Sequence, residues 1–242
     1  MHGVRALIPK TRRGLLLGGG GVLVVVAVAA FAFIYFVLFP TSSPKPFTIS
    51  STTAAAPVSS RTTLAGRWAI APGSQAGYRV REKLGFLPAE SDAVGRTSEI
   101  TGAAVLTESK GVVTVTKASF VVAVNTLKSN EAQRDEHIQT IGLESATYPK
   151  ATFTLSTPVR LPASALSGRV FRASVTGVFI IHGTSRRLTL PLQMRVSSSA
   201  IQAVGSLTFP WGEFGMTAPS VGGFVNVSST ATMEFDLDLA RA

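Results

Sequence analysis

The most regular pattern in the chain is an alternation of apolar and polar residues. Leu188, Leu190, Leu192, Met194 and Val196 interleave with Thr189, Pro191, Gln193, Arg195 and Ser197, a period of two that predicts a half-buried strand. Met233, Phe235, Leu237 and Leu239 alternate with Glu234, Asp236, Asp238 and Ala240, and Tyr78 and Val80 alternate with Arg79, Arg81 and Lys83. Further strands are predicted at Ile100 to Thr107, Ala151 to Leu161, Val170 to His182 and Ala200 to Phe209, with Gly and Pro between them. Val113 and Val115 share one parity, whereas Phe120, Val122 and Val124 share the other. That phase slip predicts a bulge near Lys117.

About eight such strands cannot each bury one face in a single flat layer. They must close into a barrel or split into a sandwich, and their length favours an antiparallel barrel whose interior holds side chains or one small ligand. One helix is predicted in SNEAQRDEHIQTIGLES, with Ser129 or Asn130 as its cap. Its apolar stripe of Ala132, Ile138 and Ile141 is narrow and places it across a barrel end.

The first forty residues follow a different rule. Leu15–Phe39 is an uncharged run of 25 residues, about 37 Å as a helix and enough to cross a bilayer core. Arg5, Lys10, Arg12 and Arg13 precede it and no charge follows before Lys45. The expectation is a cytoplasmic tail at 1–14, a single-pass helix at 15–39, and everything beyond on the extracytoplasmic side. A cleavable signal peptide is the rival reading, since Ala27, Ala29 and Ala30 are small. Against it, the apolar run continues to Phe39, longer than a secretory segment needs. Residues 40–64 are rich in Pro, Ser and Thr and read as a flexible spacer before a β domain at 65–242.

Composition then removes several kinds of chemistry. The chain has no cysteine, which excludes disulfides, thiolate metal sites and cysteine nucleophiles. Of the net charge of +10, four positive charges belong to the tail, leaving 19 basic against 13 acidic residues beyond it, scattered without a long basic run. A nucleic-acid groove is not supported.

Four stretches carry a family resemblance: WAIAPGSQAGYRV, ASFVVAVNTLKSNEAQRDEHI, ESATYPKATFTL and VTGVFIIHGTSRRLTLPL, in that order. Their most specific pieces are Arg134-Asp135-x-His137, Tyr148-Pro149-x-Ala151-Thr152-Phe153 and Gly177-x-x-x-x-His182-Gly183-x-Ser185. The region from about Arg67 to Leu239 resembles the YceI-like family, which implies a lipocalin-like, polyisoprenoid-binding antiparallel barrel. This chain departs from the family in the stretch Gly142–Thr147 after the helix.

The resemblance and the strand parity together nominate a lining of Tyr78, Val80, Phe120, Val122, Phe153, Leu155, Phe179, Leu190, Phe235 and Leu237 around an isoprenoid, a quinone or a similar amphiphile. Arg81, Arg134 and Arg186 are candidates to meet a polar head group at the rim. Trp68, Phe209, Trp211 and Phe214 read as core rather than a ligand box. No catalytic residue, metal site or cofactor is nominated. Of the three histidines, His2 lies in the tail, while His137 and His182 read as structural. A homodimer is compatible with this pattern without being supported by it. The remaining rivals are an envelope scaffold with a filled barrel and, more distantly, a lipid-modifying enzyme.

Overall fold

A computed structural model of the chain describes residue 26 and residues 43–51, 54–59, 61–84, 90–221 and 225–242. Ser43–Ala242 forms one compact unit. The expected membrane helix lies outside the described residues apart from Val26, and no helix among the described residues is long and apolar enough to cross a membrane.

Eight antiparallel staves close on themselves. The first is β1 (Gly66–Ile70) and β2 (Gln75–Leu84), two halves of one strand bent at 71–74. The second is β3 (Glu90–Thr97) and β4 (Ile100–Ser109), bent at 98–99. Then follow β5 (Val112–Ala123), β6 (Lys150–Leu155), β8 (Phe171–Ile181), β9 (Thr184–Val196), β10 (Ala200–Pro210) and β13 (Thr230–Arg241). Each stave pairs with the next, and β13 pairs with both β1 and β2, which completes the barrel and leaves no open edge between first and last staves. Short strands β7 (Val159–Arg160), β11 (Ser220–Val221) and β12 (Val225–Val227) extend the ladder at its margins.

The predicted bulge is present. Val105 faces Lys117 and Leu106 faces Val115, so Thr116 is the extra residue, and its hydroxyl donates to the Val105 carbonyl at 3.2 Å. The expected long strand at 151–161 is instead β6 and β7 separated by Ser156–Pro158, because Pro158 cannot donate to a ladder.

The helix, Ala132–Thr140, follows β5. Its cap differs from expectation: Glu131 occupies the cap position without a side-chain bond, while the Asp135 carboxylate accepts from the Ser129 N–H at 2.8 Å. Ala132 and Ile141 are exposed, so the apolar stripe contributes little. Polar bonds secure the helix instead, chiefly Arg134 Nη2 to Glu82 Oε1 on β2 at 2.7 Å.

The end of the barrel away from the helix is packed solid. Trp68 is fully buried and donates its indole N–H to the Leu64 carbonyl at 3.0 Å, and it shares the buried core with Leu106, Val196 and Ile201.

The outer wall departs most from the sequence reading. Glu234 is on the polar parity of β13 yet only 3% exposed. Its carboxylate meets Arg96 at 2.7 Å and Arg79 at 3.2 Å, and Arg79 also reaches Asp92 at 3.1 Å. What buries this cluster is the segment read as a free spacer. Arg79 and Arg96 donate to the carbonyls of Pro44 and Lys45, the Arg96 guanidinium lies 3.8 Å from the Phe47 ring centroid, and Ile49 is buried. Farther on, Ala55 and Val58 donate backbone bonds to the Gly168 and Leu166 carbonyls, both at 2.9 Å. The described part of 43–64 is therefore a strap on the barrel, and the folded unit begins at Ser43 rather than 65.

Two predictions follow from this wall. Glu234→Ala leaves Arg79 and Arg96 without their buried counter-charge and is expected to cost about 3 kcal/mol, measured by urea unfolding. Asp236, which accepts from Gln202 at 3.0 Å, has its pKa raised above 3.8 chiefly by burial, so its ionised form opposes folding. The stability conferred by its neutral form is complete below the ordinary value and lost as pH rises through the raised one. Asp236→Asn should therefore unfold at a higher temperature than the parent at pH 7, and the difference should vanish near pH 3.

Candidate functional site: the barrel lumen

All ten nominated lining residues fall on the inward parity. The register sets Tyr78 beside Met233, Val122 beside Ala151, Phe120 beside Phe153, Phe153 beside Phe179, Leu155 beside Gly177, Leu190 beside Val175, and Leu237 beside Ala203. Val80 and Phe235 continue the same faces of β2 and β13. Val80, Phe179, Leu190 and Leu237 are buried. Tyr78, Phe120, Val122, Phe153, Leu155 and Phe235 face inward but remain only half-buried. Tyr78, Phe120, Phe153 and Phe235 pack against the buried core from this inner face.

Glycines opposite or diagonal to large rings let ring and backbone approach closely on this wall. Tyr78 faces Gly95, Phe120 faces Gly102 and Phe235 faces Gly205 across the ladder, while Phe153 is diagonal to Gly177. A Cβ on Gly95 would lie 2.3 Å from the Tyr78 ring, on Gly177 2.0 Å from the Phe153 ring and on Gly205 2.6 Å from the Phe235 ring, while on Gly102 it would meet the Ser119 carbonyl at 2.2 Å ahead of the Phe120 ring at 2.9 Å. Each ring thus lies over a bare backbone and against the wall instead of projecting across the lumen. Phe153 also packs on Phe179 at 4.8 Å between centroids. The signal was available in the sequence, since glycines occupy inward parities, but the parity reading did not use it.

One polar atom breaks the apolar lining. The Tyr78 hydroxyl is buried without a hydrogen-bond partner. Ser129 stands nearby, and burial, reinforced by Asp135 and Glu82 and opposed by Arg134 and Ser129, pushes the phenol well above its ordinary pKa, so it remains a neutral donor.

Of the three arginines nominated for a head group, Arg134 and Arg81 are paired with carboxylates. Arg134 bonds Glu82 and, at 2.7 Å, Asn130. Arg81 points outward and pairs with Asp92 at 3.3 Å. Arg186 is exposed and donates to the Ser185 carbonyl. Trp68, Phe209, Trp211 and Phe214 are buried core, with Phe209 and Phe214 edge to face at 4.8 Å.

His137 is exposed on the helix. His182 is inserted at the β8–β9 turn with φ of 50°, packs on Tyr148 at 4.2 Å, and has Nε2 3.4 Å from a Glu144 carboxylate oxygen. Among the described residues no three metal-binding side chains converge.

Residues 68–239 match the YceI-like domain. The chain belongs to the YceI-like family. Solved structures agree with that placement in fold. A polyisoprenoid binding domain from Saccharophagus degradans, implicated in plant cell wall breakdown, is 17% identical with a TM-score of 0.52, over 74% of this chain and 99% of that one. The Campylobacter jejuni YceI protein is 16% identical with a TM-score of 0.50, over 66% of this chain and 91% of that one. At this identity the likeness extends to the barrel alone. No curated protein gives a significant match. The YceI-like match begins at Trp68, so the strap lies before it.

The ring-on-glycine pairs can be tested at Gly205, where only side chains of Phe235, Leu192 and Leu190 come within 3.0 Å. Gly205→Ala is expected to destabilise by about 1–3 kcal/mol, and Phe235→Leu in the same chain should recover most of that loss in a double-mutant cycle. At Gly177 the Thr154 carbonyl stands 2.7 Å away, so Gly177→Ala should not be rescued by trimming Phe153.

Proposed function

We propose that this YceI-like barrel binds one elongated amphiphile, an isoprenoid or quinone-like lipid, with its apolar tail in the lumen. The observation that carries the proposal is an inward apolar wall of aromatic rings set close over glycines, with one unpartnered buried hydroxyl, that of Tyr78. Burial of a polyprenyl tail is worth about 0.8 kcal/mol per methylene, so tight binding needs no catalytic group. The Tyr78 hydroxyl gives the ligand's oxygen-bearing end a donor, and the neighbouring Arg134–Glu82 pair leaves little unbalanced positive charge for a phosphate. A neutral carbonyl or hydroxyl head suits that setting. The polyisoprenoid-binding neighbour from Saccharophagus degradans supports the same ligand class.

The remainder of the proposal is topological. Leu15–Phe39 anchors the chain in the cell membrane with its N-terminus in the cytoplasm, and the barrel works on the extracytoplasmic side as a carrier or store of the lipid.

Native mass spectrometry of Ser43–Ala242 purified without detergent, followed by lipid extraction, tests the ligand. The parent should carry a defined isoprenoid or quinone, and Phe179→Trp should lose it by filling the lumen. Tyr78→Phe should retain the lipid with affinity lowered up to about tenfold, the worth of one neutral hydrogen bond. If parent and Phe179→Trp are both empty and equally stable, the barrel is a scaffold and the lipid reading falls.

A further inference from the structure

The outside of the barrel is electrically two-sided. Of the carboxylates on the staves, Glu90, Asp92, Glu234, Asp236 and Asp238 face outward, and all five stand on β3 and β13. The strap lies over this side, from the Asp92 carbonyl, which accepts from the Ser43 hydroxyl, to Arg195 of β9, which donates to the Ser50 carbonyl at 3.4 Å. Round the rest of the ring, β5, β6, β8 and β9 hold no carboxylate. Between Glu144 and Glu213 the chain has seven Lys and Arg residues and not one Asp or Glu, so three neighbouring staves carry charge of one sign.

The register gives this uncovered wall a definite surface. Val121, Thr152, Ile180 and Ser185 form one outward row across four staves, and Ser119, Thr154, Val178 and Arg187 form the next. Lys117, Lys150 and Arg172 continue the outward parities of β5, β6 and β8, and with Arg187 they are exposed. Among the described residues none of these four cations pairs with a carboxylate, whereas Arg79, Arg81 and Arg96 on the strapped side all do. Arg187 donates to the Thr157 hydroxyl at 3.5 Å.

Shape and composition select the partner. The residues between the cations are mostly short hydroxyl side chains, so the long Lys and Arg heads are the highest points of the wall. Ile180, 39% exposed, adds a large apolar side chain among them. The wall is convex, without a groove to follow a polymer backbone, and its outward positions include no aromatic ring on which a base could stack. A broad negative plane can meet all the cations together. Because such attraction fades within about 10 Å at ordinary salt, the acidic wall on the opposite side does not cancel it.

We propose that the wall formed by β5, β6, β8 and β9 docks on an anionic lipid surface, with Lys117, Lys150, Arg172 and Arg187 against the head groups and Ile180 at the plane of contact. The face is made by residues of the barrel alone and is independent of what the lumen holds.

Ser43–Ala242 closes its ring and buries its core within itself, so it is the unit tested, by co-sedimentation with vesicles. At about 0.1 M salt it should bind phosphatidylcholine vesicles containing about a third phosphatidylglycerol at least roughly tenfold more tightly than phosphatidylcholine alone, and release them at about 0.5 M. Lys117→Gln with Arg187→Gln should weaken binding roughly 25-fold, about fivefold per cation. Arg61→Gln with Lys83→Gln makes the same change of charge off this wall and should weaken it less than about threefold. All four side chains are exposed, so urea unfolding should stay that of the parent. Phe179→Trp should bind the vesicles as the parent does, which separates this result from the fate of the lumen reading. Equal losses in the two double variants reduce the attraction to net charge and overturn the face. Failure to sediment with the anionic vesicles overturns the proposal outright, and retention on heparin or DNA in that case assigns the wall to a polyanionic polymer instead.

Discussion

The inner wall depends on close approach between aromatic rings and bare backbone. An eight-stranded barrel is narrow enough for ordinary core side chains to fill it. Tyr78, Phe120 and Phe235 each face a glycine across the ladder and Phe153 is diagonal to one, so that each ring lies close to backbone. The same rings provide the apolar surface against which a ligand chain would be buried. The arrangement is built at four places around the barrel rather than at one local pocket.

Outside, a second constraint governs. A carboxylate as deeply buried as Glu234 must be paired, and two arginines do so from neighbouring staves. Those guanidiniums have donors left over, and the carbonyls of Pro44 and Lys45 accept from them. The strap therefore follows from the electrostatics of the wall: without it, the arginine donors would need water and Glu234 would be exposed. The strap in turn gives Phe47 and Ile49 a place to bury apolar surface.

The barrel was largely legible in the sequence, because an antiparallel strand with one wet face writes its fold directly as alternation. Leu188–Val196 and Met233–Leu239 display that alternation, and the change of phase between Val115 and Phe120 located the bulge at Thr116 to within one residue of Lys117. The strap was not legible. Its bonds run largely from arginine side chains to backbone carbonyls, which any sequence supplies, and Glu234 occupies a parity that ordinarily faces water. The inner wall was half legible. Parity selected Tyr78 as a lining residue, but its lack of a partner depends on the placement of Ser129 and the helix, a tertiary matter.

The groove that receives the strap also constrains the order of assembly. It is formed by β2 and β3 from the start of the domain and by β13, β10 and β9 from its end, so nearly 190 residues separate Ser43 from the Glu234 stave it helps to cover. Contacts so distant along the chain are formed late and slowly. During synthesis the strap emerges before any stave, yet its seat does not exist until the last stave has closed the ring. Residues made ahead of the whole barrel are among the last to be ordered, and a docked strap is a mark that the barrel is finished.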